Sequence, residues 1–148
     1  MFGYIGYHLT LFFKKILLAC ILCSVMSTAH AVTLYVVVSN NLRGASFSAS
    51  EIKRIFLGEI TRIKSGRVHL IYPSYSSDEI IALSKFVGKG GSVRNLKSYW
   101  SKMIFTGRGN PPDTAENASE LRRLLAEDNA IGVSKQSAGM NVIYTILE

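Results

Sequence analysis

Past residue 31 the sequence has no cysteine, because both of its thiols, Cys20 and Cys23, lie before that point. A chain reduced to residues 32–148 therefore has no disulfide, no thiol nucleophile and no thiolate metal site, and must fold on packing alone. Histidine is nearly as scarce. Only His69 lies beyond residue 31, so no histidine pair exists there for a metal, and no nucleophile has an adjacent base. These absences argue against an enzyme, and no catalytic residue, metal or cofactor is expected. Acidic residues are also few, 10 against 17 Lys and Arg, for a formal net charge of +7. Before Arg43 the only charged side chains are Lys14 and Lys15.

Those two lysines open a recognisable order. An apolar run over residues 16–26 follows them, and then Ala29-His30-Ala31, a small-x-small site. Positive segment, apolar segment and small-residue site together read as a secretory signal over residues 1–31, cleaved after Ala31. The apolar run is shorter than the ~20 residues of an ordinary spanning helix. The apolar, aromatic stretch over residues 1–13 leaves an uncleaved anchor as the alternative. Leu17-Leu18-Ala19-Cys20 looks like a lipoprotein box, but the four residues between Lys15 and Cys20 are too few for an apolar core.

Cleavage leaves 117 residues, 32–148, with a formal charge of +5 once the two signal lysines are gone. That is the size of one domain. A periplasmic location with no stable membrane insertion is expected. A basic exported domain suits anionic partners such as oxyanions, lipid headgroups or envelope polymers. Nucleic acid is not expected, since export separates the two. The plainer alternative is a solvated basic surface.

Apolar periodicity lays out the domain. Residues 34–38 form a continuous β-branched and aromatic run, fit for a strand covered on both faces. Ser48-Ala49-Ser50-Glu51 has capping-box spacing, Ile52, Ile55 and Phe56 follow at helical intervals, and Gly58 stops the helix. A second strand spans 68–72 and ends at Pro73. Ser74-Tyr75-Ser76-Ser77 then leads through Asp78 and Glu79 into a helical stripe of Ile80, Leu83, Phe86 and Val87. Gly88, Gly90 and Gly91 end it, and Ser92 can cap a helix carrying Val93, Leu96, Trp100 and Met103 on one side. The Gly- and Pro-containing segment 106–112 is a loop. A fourth helix after Asn117 or Ser119 buries Leu121, Leu124 and Leu125. Short strands at 131–133 and 141–147 complete an α/β fold, a central mixed sheet with helices on both faces. No internal repeat, low-complexity tract or linker interrupts it.

Few residues point to chemistry. His69 is expected at the surface or on an edge strand. Asp78 and Glu79 are neighbours on a helix and point apart, so they complement its dipole. The turn 74–77 follows a strand and opens a helix, which aims amides and hydroxyls at one spot and suits an anion. The alternative is simple capping, and the Asp78 carboxylate would repel an anion. Arg43 and Arg108 stand in Gly-containing loops, where a guanidinium can recognise an oxyanion or simply be solvated. Trp100 reads as packing.

Three segments carry a family resemblance. They are Ile55-Phe56-Leu57-Gly58-Glu59-Ile60-Thr61-Arg62, then residues 99–112 with Tyr99-Trp100 and Phe105-Thr106-Gly107 before Pro111-Pro112, then Asn129-Ala130-Ile131-Gly132-Val133. Together they resemble small phosphate-binding-protein-like domains. These are short relatives of the substrate-binding proteins of phosphate ABC transporters, in the type 2 periplasmic binding protein superfamily. The resemblance implies one lobe of that α/β fold, a periplasmic location, and Ser74, Ser76 and Ser77 at the turn where the family contacts phosphate. The family's arginine, glycines and threonine at that turn have no counterpart in Pro73-Ser74-Tyr75-Ser76-Ser77-Asp78-Glu79. The expected function is a solute-binding-like module for a small anion such as phosphate, with Ser74, Ser76 and Ser77 as donors and Arg108 as counter-charge. The alternative is an adaptor that docks on an envelope sensor or transporter without a small ligand.

Overall fold

The computed structural model describes residues 32–147, and the signal reading for residues 1–31, with Cys20 and Cys23, lies outside the described residues. β1 (Thr33–Val38) opens the domain and runs into a single 3-10 turn at Asn40–Leu42. α1 (Ala49–Phe56) is started by a complete capping box. The Glu51 amide donates to the Ser48 hydroxyl at 3.2 Å, and the Ser48 amide donates to the Glu51 carboxylate at 2.8 Å. The backbone hydrogen bond from Ser48, then its hydroxyl, holds the exposed Glu51 carboxyl below the usual carboxylate range. A small hairpin, β2 (Arg62–Ile63) and β3 (Gly66–Arg67), precedes β4 (His69–Pro73).

α2 (Asp78–Val87) and α3 (Val93–Phe105) follow in succession, capped by Ser77 and Ser92. β5 (Asp113–Ala115), α4 (Ala118–Leu124), β6 (Ala130–Ser134) and β7 (Asn141–Leu147) complete the order. The sheet has the strand order β5-β4-β6-β1-β7. β4 pairs parallel with β5 and β6, whereas β1 pairs antiparallel with β6 and β7, so the sheet is mixed.

Alternation along β1 sends apolar side chains to both faces. Leu34, Val36 and Val38 join Ile52, Phe56, Tyr72, Leu83, Leu96 and Trp100 in the larger core, under α1, α2 and α3. Val37 joins Ile71, Ala115, Leu121, Leu124 and Ala130 in a smaller core under α4. Gly132 makes the α4 contact possible, since a Cβ there would stand 2.9 Å from the Leu121 side chain. Helices thus cover both faces of a central mixed sheet. Among the described residues no helix is long and apolar enough to cross a membrane.

One departure from the sequence reading concerns a strand, and a second strand takes a place the reading left open. β5 occupies a segment with no apolar alternation, held by its parallel pairing with β4. The last strand lies at the sheet's edge, so of its four apolar residues Val142 and Leu147 are exposed while Ile146 is buried.

Candidate functional site

The parallel strands β4, β5 and β6 all finish at one edge of the sheet, at Pro73, Ala115 and Ser134. From there α2 leaves β4 on one face and α4 leaves β5 on the other. Such a divergence opens a crevice at the carboxyl ends of the strands. The protein has a cleft of about 190 Å³ there, lined by Ser74, Ser77, Glu79, Glu116, Asn117, Ser134 and Lys135 among others.

The serine turn borders that cleft. Ser74 is buried, its amide donates to the Ala115 carbonyl at 3.0 Å, and its hydroxyl lies 3.0 Å from that of Ser76. The Ser77 amide donates to the Ser74 carbonyl, and the Ser77 hydroxyl accepts from the Ile80 amide at 3.3 Å, so Ser77 caps α2. Lys135 is the cation at the rim. Its Nζ lies 3.5 Å from the Glu79 carboxylate and 4.0 Å from Asp78. Sequence reasoning did not single out Lys135, Glu79 as its partner, or Ser134. The signal available was position alone: Lys135 directly follows a strand, where ligand-facing loops of α/β sheets stand.

Of the four residues singled out for binding, Ser74, Ser76 and Ser77 stand together. Arg108 does not join them. It follows α3, its amide donating to the Met103 carbonyl at 2.9 Å, in the loop that feeds the amino end of β5. That loop belongs to the opposite edge of the parallel strands. Arg43, the other candidate arginine, is exposed just after the 3-10 turn.

At the amino edge a second cleft of about 310 Å³ is lined by Gly58, Thr61, Arg67, His69, Trp100, Asn110 and Asp113 among others. His69 corrects an expectation. It opens β4, an interior strand, and its side chain is mostly buried. Nε2 lies 2.5 Å from the Asp113 carboxylate and Nδ1 lies 2.9 Å from Glu127, though Nδ1 makes no well-aligned hydrogen bond. The reason is parallel pairing, which brings the starts of β5 and β6 beside the start of β4. The two carboxylates face opposite ring nitrogens and so cannot converge on one ion. Among the described residues no three His, Cys, Asp or Glu side chains are grouped to hold a metal.

Trp100 has a packing role although its edge reaches this cleft. It is buried, its indole is edge-on to Tyr72 at 6.1 Å between centroids, and Nε1 donates to the Tyr72 hydroxyl.

No family model and no curated protein matches the chain. Among solved structures, it is similar to the crystal structure of an ABC-type phosphate transport receptor from Vibrio cholerae. The match has 15% identity and a TM-score of 0.46, over 79% of this chain and 50% of that one. The chain thus spans half the length of that receptor.

Proposed function

We propose that the domain is a periplasmic solute-binding-like module whose carboxyl-edge cleft receives a small oxyanion such as phosphate. One observation carries the reading: Ser74 and Ser77, with Ser76 bonded to Ser74, border a polar cleft at the carboxyl ends of three parallel strands, with Lys135 at its rim. Hydroxyls, a helix start and an ammonium group are the donors that oxyanions require. Lys135 supplies the counter-charge here, and Arg108 belongs to the other edge. The likeness in the Phe56-Leu57-Gly58 and Thr106-Gly107 segments points the same way. An open cleft leaves the anion hydrated on one side, so weak binding is expected.

Calorimetry with inorganic phosphate tests the reading. Heat of binding should be measurable and should vanish in Ser76→Ala combined with Lys135→Gln. Absence of heat at millimolar phosphate rejects it.

A second reading is favoured by the engagement of the donors. The Ser77 hydroxyl already caps α2, and Lys135 already faces Glu79 and Asp78. On that reading the domain docks on an envelope sensor or transporter with no small ligand. Crosslinking in intact envelopes should then trap one dominant protein partner, and a diffuse pattern argues against it.

A further inference from the structure

The outward face of α3 combines cations with exposed apolar side chains and has no acid. Arg94, Ser98, Ser101 and Phe105 recur at helical spacing opposite the buried Leu96 and Trp100. Lys97 and Ile104 flank this stripe on one side and Lys102 on the other, all of them exposed. Phe105 is 92% exposed and Ile104 46%, the former an unusual state for a phenylalanine at the end of a regular helix.

The charge around this helix is of one sign. Between Ile80 and Pro112 the sequence has six Lys or Arg residues and no Asp or Glu. Five of the 10 acidic residues fall instead between Asp113 and Asp128, the segment that passes through α4 on the other face of the sheet. Glu59, whose charge acts on Tyr99 of this helix, is engaged by Arg54 at 3.5 Å and Lys89 at 3.8 Å. The domain is therefore polarised, basic at α3 and acidic beyond β5.

The end of α3 is also prepared to lose water. The Lys102 carbonyl accepts from the Thr106 amide at 3.0 Å and from its hydroxyl at 2.8 Å. The Ile104 carbonyl accepts from Gly107 at 3.0 Å and the Met103 carbonyl from Arg108 at 2.9 Å. Three of the carbonyls at this helix end, those of Lys102, Met103 and Ile104, thus have partners inside the chain, so their dehydration costs little.

We propose that this face of α3 docks peripherally and reversibly on an anionic phospholipid surface. Ile104 and Phe105 enter at the level of the headgroups, while Arg94, Lys102 and Arg108 face the lipid phosphates; Lys97 stands over the Tyr75 ring at 4.9 Å. A lipid surface fits better than a folded protein because just two apolar side chains project and the cations flanking them carry no interleaved acids. Basic, amphipathic helix faces bind anionic membranes by this division of labour. Free phosphate would satisfy the cations and leave Phe105 unexplained.

The test uses the full chain with Phe105→Trp, whose emission is read as a difference from the unsubstituted protein so that buried Trp100 cancels. Vesicles of phosphatidylglycerol should shift the emission to the blue, and brominated acyl chains should quench it. Vesicles of phosphatidylcholine should do neither. Arg94→Glu with Lys102→Glu should weaken the response at least roughly tenfold. Should the double variant lose its helical dichroism, salt gives the same information: ~1 M sodium chloride should abolish the shift in Phe105→Trp alone. The N-terminal segment also carries Lys14 and Lys15, so the arms that assign the response to α3 are the charge reversals at 94 and 102 and the quenching at position 105. An equal shift on both lipids, no shift on either, or indifference to salt overturns the proposal. So does a photocrosslinker at position 105 that captures an envelope protein while vesicles leave the emission unmoved.

Discussion

The indole nitrogen of Trp100 donates to the phenol oxygen of Tyr72 at 3.0 Å, and that phenol in turn donates to the carbonyl of Phe56. This relay joins α3, β4 and the end of α1 inside the larger core, where all three side chains are buried. Tyr72→Phe removes the middle of the relay and leaves an indole N–H and a helix-terminal carbonyl without their partner. The expected loss is about 1–3 kcal/mol, read from the midpoint of urea unfolding. A midpoint unmoved by the substitution would show that water reaches both groups.

The same phenol sets an alkaline limit. Burial is the main cause that pushes the Tyr72 phenol well above its ordinary value, and the hydrogen bond from Trp100 only partly offsets it. Burial raises Tyr75 and Tyr99 too. A phenol with a raised folded-state pKa favours the native state fully below the unfolded value of about 10, and that advantage is lost as pH climbs from there toward the folded value. Stability should therefore be flat to about pH 10 on this account and fall above it. Tyr72→Phe should make the fall shallower, as followed by denaturant midpoints across the alkaline range.

Gly58 ends the first helix with φ at +65°, and a Cβ built on it would stand 2.6 Å from the Trp100 ring. Conformation and space both demand glycine here. Gly58→Ala should cost about 2–4 kcal/mol, since backbone strain and overpacking act together. A thermal melt of the variant reads this directly, and a change within error would mean that Trp100 moves aside freely.

Asn129 is the one described non-glycine residue with positive φ, at 57°. Its side chain accepts from Asn41 at 3.0 Å and from the Ser65 hydroxyl, while its amide donates to the Asn41 side chain at 3.1 Å. It thereby ties the 3-10 turn and the β2–β3 hairpin to the start of β6. Asn129→Gly keeps the backbone conformation and loses the side-chain bonds. Asn129→Ala loses both, so it should be the less stable of the two by about 1 kcal/mol. Equal stabilities would assign the whole effect to the hydrogen bonds.

What the sequence made legible was local. Ser48, Ser77, Ser92 and Asn117 cap the helices they announce, because a cap is a contact across three residues. The apolar run over 34–38 was legible because burial on both faces leaves no polar interruption, and that over 68–72 because Leu70, Ile71 and Tyr72 follow His69 and Pro73 ends them. The missing parts depend on distant partners. β5 has no pattern of its own and exists because β4 lies beside it. His69 meets Asp113 and Glu127 because parallel pairing brings the starts of β4, β5 and β6 together. In the candidate site the serines were legible as a turn. Lys135 beside Glu79, and the separation of Arg108 from the serines, are products of topology.

The strand order also governs when the domain can form. β1 precedes the other described strands, yet Tyr35 pairs with Ser134 of β6 on one side and Thr145 of β7 on the other, the last two of the described strands. No strand made in between lies beside β1. The nascent chain therefore holds an apolar segment, Val36-Val37-Val38, without a strand neighbour until β6 and β7 have been made. Completion of the sheet waits for those two strands, and until then that segment must be shielded.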